Sequence, residues 1–138
     1  ASYWGAQWRR TAGSIFANGV YKVKMTYGTQ DGSTVTGYNT NGNGYISLSA
    51  PAPTGEQGAY IKTMTFTSHG MFPREATGSE TSYYGDGLWY GQSGPYYELV
   101  GGYSGNGSRC GAFCSDLHSG AGSVNWSYGA AVSYKPLA

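Results

Sequence analysis

Residues 21–27 read Tyr21-Lys22-Val23-Lys24-Met25-Thr26-Tyr27, with apolar or aromatic side chains at the odd positions and polar ones at the even positions. Successive side chains of an extended strand point to opposite faces, so this alternation predicts a β-strand with one buried face. Asp31-Gly32 then supplies a turn, and residues 34–36 read as a short returning strand. The segment therefore predicts a β-hairpin with a longer loop.

The same alternation recurs over residues 60–67, and Gly70-Met71-Phe72-Pro73 is expected to end that strand. Short apolar segments predict further strands at 45–48, 88–90, 96–100, 111–114 and 129–135. Segments rich in Gly, Ser and Asn predict irregular loops at 76–87, 101–107 and 117–127. No long helical period is present. We therefore expect an α+β class that is mainly β with much coil, short strands and few short helices.

Composition supports a folded chain. The 138 residues include 24 Gly and 14 Tyr, aromatic residues make up 16%, and charged residues make up only 11%. Aromatic rings bury a large area from few positions, so we expect one domain over residues 1–138 with a core rich in Tyr and Trp. The N-terminal strands are expected within residues 1–60, a range that also includes a proline-rich connector at residues 50–55. Because the chain begins Ala-Ser-Tyr-Trp, we expect a domain cut or processed from a longer protein.

The charge balance excludes several kinds of partner. Eight basic and seven acidic residues leave a net charge of +1, and no basic run exceeds Arg9-Arg10. The sequence therefore shows no cluster of basic residues of the kind that binds the phosphate backbone of nucleic acids. No apolar stretch approaches the length of a membrane span, so we expect no membrane insertion.

Catalytic motifs are weak. His118 lies close to Asp116 and to two serines, but the chain has no Gly-x-Ser-x-Gly motif around a serine nucleophile, so we interpret His118 as a loop histidine. Asp86 and Glu98 could ligate calcium, yet they lack the dense Asp/Asn spacing of a calcium loop. We predict no enzyme activity, no cofactor and no metal.

Cys110 and Cys114 are four positions apart. The favoured interpretation is two free, buried thiols. A disulfide formed across a turn and a copper or zinc site that includes His118 both remain open at this stage.

Residues 83–128 interleave Tyr and Trp with Ser, Gly and Asn, a composition typical of antibody-like binding surfaces. Aromatic residues with small or apolar neighbours are expected in the core; these are Trp89, Tyr90, Phe113 and Trp126. Aromatic residues in polar, glycine-rich settings are expected to be exposed contacts; these are Tyr96, Tyr97, Tyr103 and Tyr128.

Residues 98–114 read Glu-Leu-Val-Gly-Gly-Tyr-Ser-Gly-Asn-Gly-Ser-Arg-Cys-Gly-Ala-Phe-Cys, and residues 123–131 read Ser-Val-Asn-Trp-Ser-Tyr-Gly-Ala-Ala. These segments resemble the C-type-lectin-like variable domains of phage tail-fibre tips and bacterial surface proteins, many of them targets of diversity-generating retroelements. The resemblance covers residues 60–138 well and the first 60 weakly. Ser104 stands where the family usually has Trp. The Asn/Asp ligand sets of sugar-binding C-type lectins are absent, so calcium-dependent sugar binding is not implied.

The resemblance implies a C-type-lectin-like fold with a variable-region-like binding segment at residues 96–128. The implied scaffold positions are Gly101, Gly102, Gly107, Gly111, Phe113 and Gly129. The implied ligand-facing positions are Tyr97, Tyr103, Gly105, Asn106, Ser115, Asp116, His118, Ser119, Gly120, Ser123, Asn125, Ser127 and Tyr128.

The resemblance also implies a non-catalytic receptor-binding, or adhesin, domain at the tip of a phage tail fibre. It would recognise a host cell-surface protein or glycan, as a homotrimer, on a virion or on an extracellular or bacterial surface. One alternative is a structural virion or cell-surface protein whose Tyr-rich face packs subunits together. Another is an enzyme like the formylglycine-generating oxidases, which share a similar fold and use a cysteine pair, here Cys110 and Cys114.

Overall fold

The computed structural model describes residues 5–24 and 38–129, and its regular structure there is almost wholly β. The strands are β1 (Trp8–Ala17), β2 (Val20–Val23), β3 (Ile46–Ser47), β4 (Thr54–Gly55), β5 (Thr63–Thr67), β6 (Gly70–Ala76), β7 (Leu88–Tyr90), β8 (Tyr96–Val100), β9 (Ser115–Ser119) and β10 (Tyr128–Gly129). In this part of the chain the longest helical segment is the six-residue 3₁₀ helix Ser104–Arg109.

The expected α+β class, with its C-type-lectin-like fold and few short helices, is therefore wrong, because the structure is mostly β. Glycine and β-formers recur so closely that no apolar stripe of helical period develops, and glycine also weakens any helix interior. Among the described residues no helix has the length and apolarity needed to cross a membrane.

A seven-stranded mixed sheet, the main sheet, carries most of the fold. Its order is β3-β2-β1-β8-β9-β7, with β10 lying parallel to the start of β1. The strand β1 is central, antiparallel to β2 and β8, so that Phe16 lies opposite both Tyr21 and Tyr96. The strand β9 runs antiparallel to β8 and parallel to β7. Strands from the first 25 residues and from residues 88–129 thus share one sheet.

The β1–β2 hairpin was not predicted. Its loop is Asn18-Gly19, with φ of 51° and 73°, and Ala17 pairs with Val20 across it. Two successive residues at positive φ form the turn whose twist matches that of the flanking strands, and Asn-Gly is the sequence that suits it best. This dipeptide was the signal that could have located the hairpin.

The second sheet has three strands in the order β4-β6-β5. The β5–β6 hairpin pairs Thr67 with Gly70, so residues 70–73 begin a strand, and the prediction that they end one is wrong. Pro73 is tolerated because β4 pairs only with Glu75 and Ala76. At Pro73 the β4 side of β6 is therefore an edge, where a missing N–H group breaks no ladder hydrogen bond.

The largest buried cluster combines side chains of both sheets. Tyr21 is central to it, with its ring 4.9 Å from that of Phe16 and 4.8 Å from that of Phe72. Its hydroxyl donates a 2.8 Å hydrogen bond to the carbonyl of Pro73, which joins the main sheet to β6. A second cluster contains Trp8, Leu99 and Cys114, with Trp89, Tyr103 and Tyr128 packed against it.

The strands predicted at 88–90 and 96–100 are confirmed as β7 and β8, and that at 45–48 appears as the shorter β3. Residues 111–113 form a turn rather than a strand, and β9 occupies the beginning of the predicted 117–127 loop. The predicted strand at 21–27 is described only through Lys24. The returning strand at 34–36 and most of the predicted final strand lie outside the described residues.

Candidate binding face

Residues 120–127, the binding loop, connect β9 to β10 and are fixed by hydrogen bonds within the loop. The Ser123 amide donates to the Gly120 carbonyl (3.0 Å), and the Tyr128 amide donates to the Asn125 carbonyl (3.0 Å). The Asn125 side-chain oxygen accepts hydrogen bonds from the amide (3.1 Å) and the hydroxyl (3.0 Å) of Ser127. Asn and Ser favour such local side-chain to backbone bonds, which explains why this polar segment adopts a defined turn.

The binding loop is also tied to the beginning of the chain. The Arg10 guanidinium donates from Nη1 to the Ala121 carbonyl and from Nη2 to the Ser123 carbonyl, each at 2.8 Å. The Gln7 side-chain amide donates to the Trp126 carbonyl at 3.0 Å. A planar guanidinium can hold two acceptors at once in a fixed geometry. The loop is therefore held in place by residues more than a hundred positions away.

This anchoring holds large apolar side chains in solvent. Trp126 is 74% exposed and Val124 is 95% exposed. The Trp126 ring packs edge-on against Tyr103, with the ring centroids 5.4 Å apart. We call this surface the Trp126 face and define it by the residues Tyr103, Val124, Asn125, Trp126 and Tyr128.

Tyr103 supports Trp126 because its own position is fixed. Its amide donates to the Asn106 side-chain oxygen (2.9 Å), and its carbonyl accepts from the Cys110 thiol (3.1 Å). Its ring also packs against the second buried cluster. The Trp126 ring therefore rests on a group that is continuous with the core.

A shallow cleft of about 250 Å³ adjoins the Trp126 face. Arg10 and Tyr128 line it together with Ser123, Val124 and Asn125 of the binding loop. The cleft places polar groups beside the exposed rings, which is the usual division of labour in binding sites, where apolar surface gives affinity and a few polar groups fix orientation.

The predicted ligand-facing residues divide by exposure. Four of them are buried, namely Ser115, Asp116, Ser119 and Ser127. Their polar groups bond inside the protein; the Ser115 hydroxyl donates to Glu98 at 2.8 Å, and the Ser119 and Tyr128 hydroxyls lie 2.9 Å apart. These four support the surface rather than form it.

The others are half-buried or exposed. The half-buried residues are Tyr97, Tyr103, Asn106, Gly120, Ser123 and Tyr128, and the exposed ones are Gly105, His118 and Asn125. Tyr97 is not part of the Trp126 face, and its hydroxyl donates to the Asn39 carbonyl at 2.9 Å. Its ring packs 5.8 Å from the Arg10 guanidinium. The Trp126 face thus includes three of the predicted residues, Tyr103, Asn125 and Tyr128.

His118 and Asp116 form a pair on β9. The imidazole Nδ1 lies 2.6 Å from the Asp116 carboxylate oxygen Oδ1, which also accepts the His118 amide at 2.9 Å. The hydrogen bond with Asp116 raises the pKa of His118, partial burial opposes this, and the negative charge of Asp116 adds to the increase. The imidazole is half exposed, so its charged form is in contact with solvent.

Sequence reasoning missed Trp126 and Val124. Of the aromatic residues expected in the core, Tyr90 is buried and Trp89 is half-buried, but Phe113 is 36% exposed and Trp126 is the most exposed. The available signal was local, because Trp126 lies between Asn125 and Ser127 in a segment without strand alternation.

The two cysteines are not joined by a disulfide, and Cys114 is fully buried. Burial raises the pKa of both thiols, most strongly that of Cys114. Within residues 5–24 and 38–129, no three His, Cys, Asp or Glu side chains are grouped so that they could hold a metal ion.

Comparisons of this chain with protein-family models, with curated proteins and with solved structures found no match.

Proposed function

We propose that this chain is a non-catalytic receptor-binding domain of the adhesin type, which recognises a host cell-surface protein or glycan through the Trp126 face. One observation carries the proposal: a loop fixed at both ends holds Trp126 and Val124 in solvent. Exposing such side chains forgoes the free energy of burying them. A partner that covers them on binding supplies a physical reason for the arrangement.

The chemistry of the face suits recognition. Tryptophan and tyrosine dominate the energetics of protein interfaces, since each buries a large rigid area with few torsions to restrict. Asn125 is exposed beside Trp126, and the cleft next to it adds the Ser123 side chain. Because the binding loop is fixed before any ligand arrives, little conformational entropy is lost on binding.

The proposal is tested with the biotinylated domain on fluorescent streptavidin, incubated with a panel of bacterial cells and measured by flow cytometry. Tetrameric presentation compensates for weak single-site binding. On a strain that binds, Trp126→Ala should reduce the apparent affinity about 30-fold, as expected for an interface residue worth about 2 kcal/mol. Phe66→Ala is the matched control, because Phe66 is 71% exposed on the β5–β6 hairpin.

Pretreating the cells distinguishes the two receptor classes. Protease should abolish binding to a protein receptor, and periodate should abolish binding to a glycan. Binding that Trp126→Ala and Phe66→Ala weaken equally would contradict the assignment of the face, and so would a wide panel with no binding strain. If Trp126→Ala instead converts an oligomer to a monomer in sedimentation experiments, the face packs subunits together.

A further inference from the structure

A second cleft, of about 270 Å³, lies between the main sheet and the β5–β6 hairpin. Its lining includes Glu98, Val100, Met64, Met71, Phe113 and Ser115. Leu99, between Glu98 and Val100 on β8, packs with Tyr103 and Tyr128 on the other side of the main sheet. This cleft is therefore distinct from the Trp126 face, and the inference goes beyond the proposed function.

Among the described residues that line this cleft, only Glu98 carries a carboxylate. Its two oxygens accept hydrogen bonds from neutral hydroxyls, Oε2 from Ser14 at 2.7 Å and Oε1 from Ser115 at 2.8 Å. These two donors leave room for more, since a carboxylate can accept about four hydrogen bonds.

No cation neutralises this carboxylate in the described part of the chain. The two ion pairs found there join Lys62 to Glu75 and His118 to Asp116. The negative charge of Glu98 also acts on a buried group. Burial is the larger cause of the raised pKa of Tyr21, and the charge of Glu98 raises that pKa further. A half-buried negative charge with only neutral donors is electrostatically unsatisfied and attracts a cation.

The walls of the cleft restrict which cation fits. Met64 and Met71 are unbranched and adaptable, and Phe113 adds an aromatic ring that is 36% exposed. Methylene groups pack well against such side chains, and a cation near an aromatic ring is attracted to its face. The lining therefore favours a charged group at the end of a flexible apolar chain.

We propose that this cleft binds the side chain of a lysine presented by a partner polypeptide, with its ammonium group on Glu98 and its methylene groups against Met64 and Met71.

The test uses the domain labelled with ¹³C at the methionine methyl groups and titrated in NMR experiments with three peptides. These are acetyl-Gly-Lys-Gly-amide and its counterparts with norleucine and with Nε-acetyl-lysine. The lysine peptide should shift the Met64 and Met71 signals saturably, and the neutral peptides should bind at least about tenfold more weakly. Equal binding of all three peptides, or no binding, would overturn the proposal without any variant being needed.

Two variants test the role of Glu98, and a small amine tests whether the ligand is a polypeptide. Glu98→Gln should weaken lysine-peptide binding about tenfold. Glu80→Gln, which alters an exposed carboxylate elsewhere, should leave it unchanged. Retained affinity in Glu98→Gln would overturn the assignment. If the lysine peptide and n-butylammonium each shift the methionine signals in separate titrations, the proposal is supported. If n-butylammonium shifts them and the lysine peptide does not, the ligand is not a lysine of a polypeptide.

Discussion

The imidazole Nδ1 of His118 lies 2.6 Å from Oδ1 of Asp116, although one side chain is exposed and the other is buried. Residues two apart on a strand share a face, which brings the exposed ring over the buried carboxylate. The negative charge of Asp116 is thus partly compensated by a group whose own charge depends on pH.

His118→Gln tests this dependence. The hydrogen bond with Asp116 raises the pKa of His118 above its ordinary value, so protonated His118 stabilises the folded state. This contribution is fully present below the ordinary pKa and is lost as the pH rises through the raised one. Since the imidazole is half exposed, we expect less than about 1 kcal/mol.

The measurement is thermal unfolding of the wild type and of His118→Gln at about pH 5 and about pH 8.5, on either side of the histidine range. The melting temperatures should differ more at the acidic pH. An equal difference at both pH values would show that the pair does not titrate as described.

Arg10→Lys should loosen the binding loop. Lysine cannot reproduce the bridge to the Ala121 and Ser123 carbonyls, so we expect a loss of about 1 kcal/mol of stability. Exchange of the Ser123 and Tyr128 amides, whose hydrogen bonds close the loop, should become about tenfold faster in hydrogen-exchange NMR.

Arg74→Lys is the control for this substitution, because Arg74 is exposed on β6. It should leave the exchange of both amides unchanged. Unaltered exchange in Arg10→Lys would mean that the local hydrogen bonds of Asn125 suffice to order the loop.

Gly111→Ala should destabilise the fold by about 2 kcal/mol or more, a loss typical of steric overlap with a neighbouring group that is held in place. A methyl group at Gly111 would overlap the Asp86 carboxylate, which accepts the Phe113 amide at 2.7 Å. Gly122→Ala is the matched control, since no atom lies within 4 Å of the added methyl group. Urea unfolding should place Gly122→Ala within about 0.5 kcal/mol of the wild type; similar losses in both variants would refute the steric account.

The thiols should react slowly and at different rates with a disulfide reagent such as dithionitrobenzoate. Cys114 is fully buried and should react only on unfolding, whereas half-buried Cys110 should react slowly in the native state because burial raises its thiol pKa. The absorbance of the released thiolate follows both reactions. Rapid native reaction of either thiol would favour the cysteine-dependent enzyme alternative.

A strand could be predicted from the sequence where its own residues are enough to define it. Residues 88–90 and 96–100 are compact runs of β-formers, and both were found. The strand β1 was missed because its register shifts between Arg10 and Ile15, which breaks the simple alternation of faces along one strand. No pattern within residues 8–17 reveals that their partners are β8 and β10, because the residues of those two strands lie far along the chain.

The binding face was only partly predictable for the same reason. The set taken from the family resemblance includes Tyr103, Asn125 and Tyr128 of the Trp126 face, but it also includes Ser115 and Asp116, which β9 turns inwards. Trp126 was assigned to the core because its neighbours in the sequence are small or apolar. Its exposure follows from the anchors at Gln7 and Arg10, which no local segment encodes.

The central position of β1 has a consequence for the order of events during synthesis. In chain order this strand precedes its neighbour β8, which is complete only at Val100, and β10, which begins at Tyr128. A nascent chain therefore carries its future central strand with the β8 side unpaired until Val100 has been made, and pairing across such a separation is slow. Since Arg10 also fixes the binding loop, a chain truncated before residue 121 lacks both β10 and the Trp126 face. The Trp126 face can therefore form only in a chain that extends at least through Tyr128.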